Sequence, residues 1–330
     1  MYFQPLIYVI LFTGILFLLE LSYFRIAEKF GIRDLPNERS SHTKITIRGG
    51  GIIFSLGITL YAAFTGFTDP YFIAGLLSIS FISFLDDIKP RDYKLRMAVH
   101  LIAVMLLFYE LQLFNSPLYI ILIALIFVIG TVNAINFMDG INGLTGSYGL
   151  LTLLTLFFIN QYVQPFIDPY YLIAACLSTL VFLFFNFRTK AVCFAGDVGS
   201  VSLAFILLFF ILKLILISGS ISYILLLLVY GLDTVTTIVF RILRKENISE
   251  AHRSHFYQFL ANEKKLSHLL VTAIYICIQM IVNIVLIYYR INKITDVIII
   301  LITSGIVFVI IRVLFEGSNR LFMGLRNKQF

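Results

Sequence analysis

Apolar runs of about 20 residues recur along the chain, and short polar segments separate them. A run of that length spans a bilayer as an α-helix, because each helical residue adds about 1.5 Å and the hydrocarbon core is about 30 Å thick. The fold class we expect is therefore all-α, a polytopic membrane protein over residues 1–330. The predicted spans, about eleven in number, are 4–24, 49–67, 70–86, 96–113, 117–135, 141–160, 169–187, 199–217, 221–240, 267–289 and 296–315.

The composition supports this interpretation, with 60% apolar and 13% charged residues. A soluble domain has roughly half apolar and about a quarter charged residues. The first run lacks a basic leader and a small-residue cleavage site, so we expect a retained helix rather than a signal peptide. No nucleic-acid partner is expected, because the spans leave no soluble domain to bind one. The three cysteines lack metal-ligand spacing.

The basic residues are distributed unevenly between the two sets of loops. With the N-terminus outside, 22 of the 25 Lys and Arg residues fall in inside segments, two (Arg290 and Lys293) fall outside, and Lys213 lies within a span. Cytoplasmic loops carry such an excess, so the sequence predicts an N-out, C-in topology. The ordinary explanation for most of these cations is the insertion bias itself, together with attraction to anionic lipids.

Acidic residues gather at the predicted inside ends of the helices. Asp86 and Asp87 end the third span, Asp139 follows the fifth, and Asp197 precedes the eighth. Ionisable groups at membrane depth are costly and indicate function. Adjacent carboxylates repel each other unless a cation neutralises them, and Mg²⁺ prefers carboxylate oxygens while leaving positions for water and phosphates. The alternative for Asp86 and Asp87 is a solvated pair at a helix end.

Two glycine-containing turns carry further candidates. Asn136 and Asp139 are three residues apart and so share a helix face, and Asn142 follows between two glycines. The run Gly196-Asp197-Val198-Gly199-Ser200 predicts a turn leading into a helix N-terminus, which favours anions. A buried amide network and a simple N-cap are the structural alternatives for these two segments.

Two inside loops combine cations with glycine or histidine. Residues 27–51 include Lys44 and Arg48, and Arg48 directly precedes three glycines. Residues 241–266 include His252, Arg253 and His255. The two histidines and the arginine between them are candidates for contacting a diphosphate or exchanging a proton, whereas an isolated loop histidine is more often only solvated.

Taken in order, these motifs resemble those of the polyprenyl-phosphate N-acetylhexosamine-1-phosphate transferase superfamily (glycosyltransferase family 4). The resemblance covers most of the chain, from Asp34 to Gln258. It implies ten or eleven helices in one membrane domain, with catalytic loops at 25–48, 86–95, 136–142, 188–198 and 241–266. It also implies a multi-pass protein of the bacterial inner membrane whose active site is cytoplasmic, and it is compatible with a homodimer.

The resemblance implies a reaction in which a UDP-HexNAc sugar gives sugar-1-phosphate to undecaprenyl phosphate, yielding UMP and a polyprenyl-diphospho-sugar. Mg²⁺ is the implied cofactor, with Mn²⁺ as a substitute. The implied catalytic residues are Asp86, Asp87, Asp139, Asp197 and His255, with Asp197 and Asp87 as metal ligands. The implied binding residues are Asn136, Asn142, Asn186, Lys44, Arg48, His252 and Arg253.

Several positions depart from the family's pattern. Asn142 stands where close relatives commonly have Asp, and Ile45 and Ile47 stand where prolines are frequent. The form His-Arg-Ser-His-Phe-Tyr-Gln, residues 252–258, resembles the branch that initiates O-antigen or capsule chains. Within the family, a phospho-N-acetylmuramoyl-pentapeptide transferase is the alternative. A secondary transporter of an anionic substrate is the alternative outside it. Transporters place binding residues near the midplane, often in an inverted repeat, whereas this sequence shows no repeat and only Asp233 lies clearly inside a span.

Overall fold

The computed structural model describes residues 3–34, 45–247 and 252–323, and this part of the chain is predominantly helical. The helices are α1 Phe3–Phe30, α2 Ile52–Phe64, α3 Pro70–Ile88, α4 Tyr93–Glu110, α5 Leu118–Met138, α6 Leu144–Tyr162, α7 Pro169–Asn186, α8 Gly196–Ser218, α9 Leu228–Leu243, α10 Phe256–Gln258, α11 His268–Tyr288, α12 Ile294–Glu316 and α13 Ser318–Met323. Two 3₁₀ segments, Leu113–Asn115 and Ile221–Leu227, and a π-helical turn, Phe259–Glu263, complete the helical elements. The strands β1 Arg33–Asp34 and β2 Thr46–Ile47 form a short antiparallel hairpin.

Eight of the helical segments in the described ranges are long and apolar enough to cross a membrane. They confirm an all-α polytopic membrane protein. Every predicted span coincides with a helix, but three of these helices are not among the eight. Helix α2 has 13 residues, α4 contains Lys94, Arg96 and Glu110, and α6 includes polar residues such as Asn160 and Gln161. The count of eleven and the N-out orientation therefore stay predictions.

The helix boundaries differ from the predicted ones by up to seven residues, the largest difference being at the start of α9. Helix α1 continues to Phe30 rather than ending near residue 24, and the predicted loops 25–48, 86–95, 136–142, 188–198 and 241–266 all begin or end inside helices. Polar residues at the end of an apolar run continue the helix into the interface, where the hydrophobic pattern no longer marks its end.

Helix α8 forms the centre of the bundle. Nearly its whole length is buried, and it packs against α2, α3, α5 and α6. Its apolar residues point in every direction, as expected for a helix with protein on all sides. Phe72 of α3 stacks on Phe209 of α8 with ring centroids 3.9 Å apart. Because α8 is central, the residues at its N-terminus lie where several helix ends converge.

The chain before α2 is fastened to the chain before α8 by backbone hydrogen bonds. Phe194 N–H donates to Ile47 O at 2.8 Å, and Gly51 N–H donates to Ala195 O at 3.1 Å. A Cβ on Gly51 would lie 2.3 Å from Gly199 Cα, and a Cβ on Gly199 would lie 2.6 Å from Gly51 Cα. Both positions therefore require glycine. The glycines after Arg48 therefore allow two backbones to touch, and this contact places Arg48 beside the N-terminus of α8.

Candidate functional site

The N-terminus of α8 is occupied by a carboxylate from α3. Asp87 Oδ1 accepts the backbone N–H of Asp197, and Asp87 Oδ2 accepts that of Val198, each at 2.9 Å. The positive end of a helix favours an anion, and here the protein supplies one from its own side chain. Gly196 has a φ of 71°, and a Cβ there would meet Asp87 Oδ2 at 2.6 Å. The sequence predicted an anion site at this turn, and in the structure its anion is Asp87.

Two arginines bridge the acidic residues at this helix end. Arg48 Nε lies 2.5 Å from Asp87 Oδ1, and its Nη2 lies 3.2 Å from Asp197 Oδ1. Arg96 Nη1 lies 2.6 Å from Asp86 Oδ2, and its Nη2 lies 3.6 Å from Asp197 Oδ2. Three carboxylates thus share two guanidinium groups, and the Asp197 side chain, with 19% exposure, contacts both at longer distances. We call these five residues the acidic cluster.

Asp139 and Asn136 lie beside the acidic cluster at the end of α5. Asn136 Oδ1 accepts a hydrogen bond from Ser200 Oγ of α8 at 2.6 Å. Burial, aided by the negative charges of Asp197 and Asp87, raises the pKa of Asp139 to about 7. A carboxyl group that shares its surroundings with two other carboxylates holds its proton near neutral pH until a cation arrives.

The side chains of Asn142 and Asn186 join loop backbones. Asn186 Oδ1 accepts Gly143 N–H at 2.7 Å, and its Nδ2 donates to Cys193 O at 2.8 Å. Asn142 Nδ2 donates to Arg188 O at 2.8 Å, and both asparagines are buried. Their polar atoms therefore fasten the loop before α6 to the loop between α7 and α8, and a direct substrate contact by either residue stays a prediction.

His255 is oriented by Asp233, the acidic residue inside α9. Asp233 Oδ1 lies 3.3 Å from His255 Nδ1 and also accepts Phe256 N–H at 2.9 Å. Tyr257 follows in the same turn, and its hydroxyl donates to Phe137 O at 3.0 Å. This bond fastens the His255 turn to the end of α5, two residues before Asp139.

The remaining basic candidates have different surroundings. The His252 ring lies 5.0 Å from that of His255 and 5.9 Å from that of Phe137. Burial, aided by the neighbouring His255 and Arg241, lowers the pKa of His252 to about 3, which keeps this ring neutral. Arg253 is partly buried and interacts within the protein. Lys44 lies outside the described residues.

The donor set at the acidic cluster suits a magnesium ion with open coordination positions. Within the described residues, no three His, Cys, Asp or Glu side chains converge closely enough to enclose a metal. Mg²⁺ is usually held by one or two carboxylates plus phosphates and water, so an enclosing cage is not needed. Asp197 fits best, because its carboxylate is partly exposed, whereas Asp87 already accepts three hydrogen bonds.

The sequence interpretation missed two residues of this site. The sequence places Arg96 only among the basic residues of an inside segment, although a cation in the first turn of the helix after Asp86 and Asp87 is a usable signal. Asp233 lies inside a predicted span without a partner in the sequence, and only the packing of α9 against the loop before α11 connects it to His255.

Residues 70–215 match the family model described as Glycosyl transferase family 4. The matched segment includes Asp86, Asp87, Asp139 and Asp197, while Arg48 precedes it. No curated protein matches the chain. The match supports the glycosyltransferase family 4 superfamily and, in general terms, a membrane-embedded polyprenyl-phosphate sugar-phosphate transferase with a nucleotide-sugar donor.

Proposed function

We propose that this protein transfers a HexNAc-1-phosphate from a UDP-sugar to undecaprenyl phosphate at the cytoplasmic face of a bacterial inner membrane. The products are UMP and the polyprenyl-diphospho-sugar that initiates a cell-envelope polysaccharide. The observation that carries this proposal is the acidic cluster, which sets three carboxylates and two arginines at one end of a membrane bundle, largely within residues that match the family.

The arginines of the cluster provide the phosphate-binding groups. Arg48 and Arg96 are each about one third exposed, so both can turn a guanidinium edge toward an arriving phosphate. Guanidinium groups bind phosphate oxygens through paired hydrogen bonds. A phosphate that draws an arginine away from Asp197 leaves that carboxylate free for Mg²⁺, so substrate and metal support each other's binding.

In this proposal Asp197 holds Mg²⁺, and Asp87 fixes the position of Asp197 by accepting its backbone N–H. When bound, the ion would supply positive charge that offsets the charge on the transferring phosphoryl group. Because the charge of Asp197 raises the pKa of Asp139, a cation held by Asp197 would let Asp139 lose its proton more readily. The chain's own residues thus align the two phosphates and neutralise them, and that alignment is the main catalytic requirement of phosphoryl transfer.

Direct attack by the lipid phosphate is the favoured route over a covalent aspartyl intermediate. The lipid phosphate is already anionic at neutral pH and needs little activation. Asp86 accepts the Arg96 guanidinium at 2.6 Å and Arg91 N–H at 2.7 Å, so its oxygens are engaged rather than presented as a nucleophile. Asp87 is more fully engaged still, because its two oxygens accept one guanidinium and two backbone N–H groups.

The test uses purified protein in nanodiscs with Mg²⁺, undecaprenyl phosphate and a panel of UDP-sugars. We expect UMP release and formation of a lipid diphosphate with at least one UDP-HexNAc, and the preferred sugar identifies the branch. Asp197→Asn should abolish turnover, while Lys293→Gln, at the opposite end of α12 from Glu316, serves as the matched control. Transport of a labelled anion into proteoliposomes, without turnover of any UDP-sugar, would support the transporter alternative instead.

A further inference from the structure

Asp233 is a fully buried carboxylate within a membrane helix, and its oxygens are surrounded by donors. Oδ1 accepts Phe256 N–H at 2.9 Å and Thr237 Oγ–H at 3.2 Å, and it lies 3.3 Å from His255 Nδ1. Oδ2 accepts Tyr275 O–H at 2.7 Å and Tyr257 N–H at 3.2 Å. Because protein groups occupy both carboxylate oxygens, no position is left for an external ligand. We therefore expect Asp233 to act on its protein neighbours.

Both oxygens of Asp233 accept hydrogen bonds, as a carboxylate does, and a cation from α12 lies near them. Arg312 of α12 places Nη1 4.0 Å from Asp233 Oδ1 and also donates to Thr237 Oγ1 at 2.8 Å. Arg312 is 1% exposed and its Nε also pairs with Oε1 of the buried Glu316 side chain at 2.6 Å, so the arginine shares its charge between two carboxylates. The other titratable groups facing His255 are the neutral His252 and the phenols of Tyr257 and Tyr275, which come from the same loop and from α11.

An ionised carboxylate only accepts hydrogen bonds, so the ring nitrogen that faces Asp233 has to carry the hydrogen. That nitrogen is Nδ1 of His255. In the neutral ring the lone pair is then on Nε2, and in the imidazolium Nε2 is a donor. Nε2 is buried, and within the described residues it has no hydrogen-bond partner. A buried polar atom without a hydrogen-bond partner is energetically costly unless a ligand forms that hydrogen bond.

We propose that Asp233 is a positioning residue, which fixes the Nδ1–H form of His255 and so presents Nε2 to a phosphate of the substrate. Tyr257 O–H, bonded to Phe137 O, sets this turn against the end of α5 that carries Asp139. With Nδ1–H directed at Asp233, Nε2 is the ring nitrogen left for a ligand: it accepts a hydrogen bond in the neutral ring, and in the imidazolium its Nε2–H donates to an anionic oxygen. This inference rests on the proposed transferase reaction, and its experiment has one readout that does not need turnover.

The activity test compares Asp233→Asn, His255→Gln and the double variant. Loss of a hydrogen bond between charged groups should lower kcat by about 10- to 100-fold in Asp233→Asn. If Asp233 acts through His255, the double variant should be as active as His255→Gln within about threefold. If the reductions in kcat of the two single variants instead multiply in the double variant, the proposal is overturned, because Asp233 then acts independently of His255.

Tyr275→Phe is the matched control for these variants. It removes one donor to Asp233 Oδ2 but keeps the carboxylate and its contact with His255 Nδ1. We expect its kcat to stay within about threefold of the wild type, because the hydrogen bond that fixes the ring is intact. A loss as large as that of Asp233→Asn would show that general disturbance of the pocket, and not the carboxylate charge, lowers the activity.

The second readout is ¹⁵N NMR of histidine-labelled protein in nanodiscs. The chain has five histidines, so the signal missing from His255→Gln assigns His255. Wild-type His255 should show a protonated Nδ1 and, in the neutral ring, an unprotonated Nε2, and Asp233→Asn should show a mixture of both neutral forms. A neutral Nε2–H form in the wild type would overturn the proposal. Absence of turnover with every UDP-sugar would refute the transferase instead, leaving the NMR result to decide the role of Asp233.

Discussion

Asp87 and Asp197 are adjacent in space, yet the structure predicts that loss of each charge has a different effect on stability. The Asp87 side chain is 0% exposed and accepts Arg48 Nε and two backbone N–H groups. The Asp197 side chain is 19% exposed and contacts two guanidinium groups at 3.2 and 3.6 Å. We therefore expect Asp87→Asn to lower both stability and activity, and Asp197→Asn to lower activity alone.

The magnitude follows from the hydrogen bonds that an amide cannot replace. Asp87 Oδ1 accepts two of its three hydrogen bonds and Oδ2 accepts the third, from Val198 N–H. An asparagine oxygen can replace Oδ1, so one bond is lost and the other two lose the carboxylate charge that strengthens them, at a total of about 4 kcal/mol. Relief of the repulsion among the carboxylates offsets part of this loss, and a net cost of about 3 kcal/mol remains. For Asp197→Asn, partly exposed ion pairs contribute under about 1 kcal/mol, and the same relief of repulsion makes the net change about zero.

The assay is thermal unfolding followed with a thiol-reactive fluorophore, because the chain has no tryptophan. Cys176 and Cys193 are buried and react only on unfolding, while the exposed Cys277 is first replaced by Ser. A cost of about 3 kcal/mol corresponds to a fall in Tm of roughly 4–5 °C for a protein of this size. UMP release measured on the same samples gives the activity.

Equal Tm losses in Asp87→Asn and Asp197→Asn would refute the reasoning, since they would mean that the two carboxylates are equally integrated into the fold. A Tm unchanged in Asp87→Asn would likewise show that the N-terminus of α8 does not depend on this side chain.

Two further predictions follow from the contacts around the acidic cluster. Gly51→Ala should cost about 1–3 kcal/mol and lower Tm, because its Cβ would meet the Gly199 backbone at 2.3 Å, whereas Gly130→Ala, with nothing within 4 Å, should leave Tm unchanged. The raised pKa of Asp139 stabilises the metal-free protein below about pH 4, and this contribution is lost as the pH rises through about 7. Tm should therefore fall from pH 5 to pH 8 in the wild type and fall less in Asp139→Asn, and a steeper fall in the variant would contradict the assignment.

The positions of the helices were predictable from the sequence because the bilayer imposes a minimum apolar length on each span. The helix ends were less predictable, as α1 and the approach to α9 show. Residues 221–227 are apolar enough to continue the span, but they form a 3₁₀ segment before α9 begins at Leu228. The hydrophobic pattern of residues 221–227 is the same for a 3₁₀ segment as for an α-helix, so the sequence does not distinguish the two. The tertiary packing of this segment against α11 and α12 does.

The sequence by itself determined which chemical groups gather at one end of the bundle. Asp86, Asp87, Asp139 and Asp197 were predictable as a group, because each ends or begins an apolar run on the same side. The tertiary structure decided what each one does. Asp87 caps α8, Arg96 joins the cluster, and Asp233 orients His255, since each of these contacts joins residues far apart in the chain. The hydrophobic pattern of the sequence predicts whether a residue lies in the membrane or at its surface, but not which residue it contacts. The contacting residue determines the role of a buried charge.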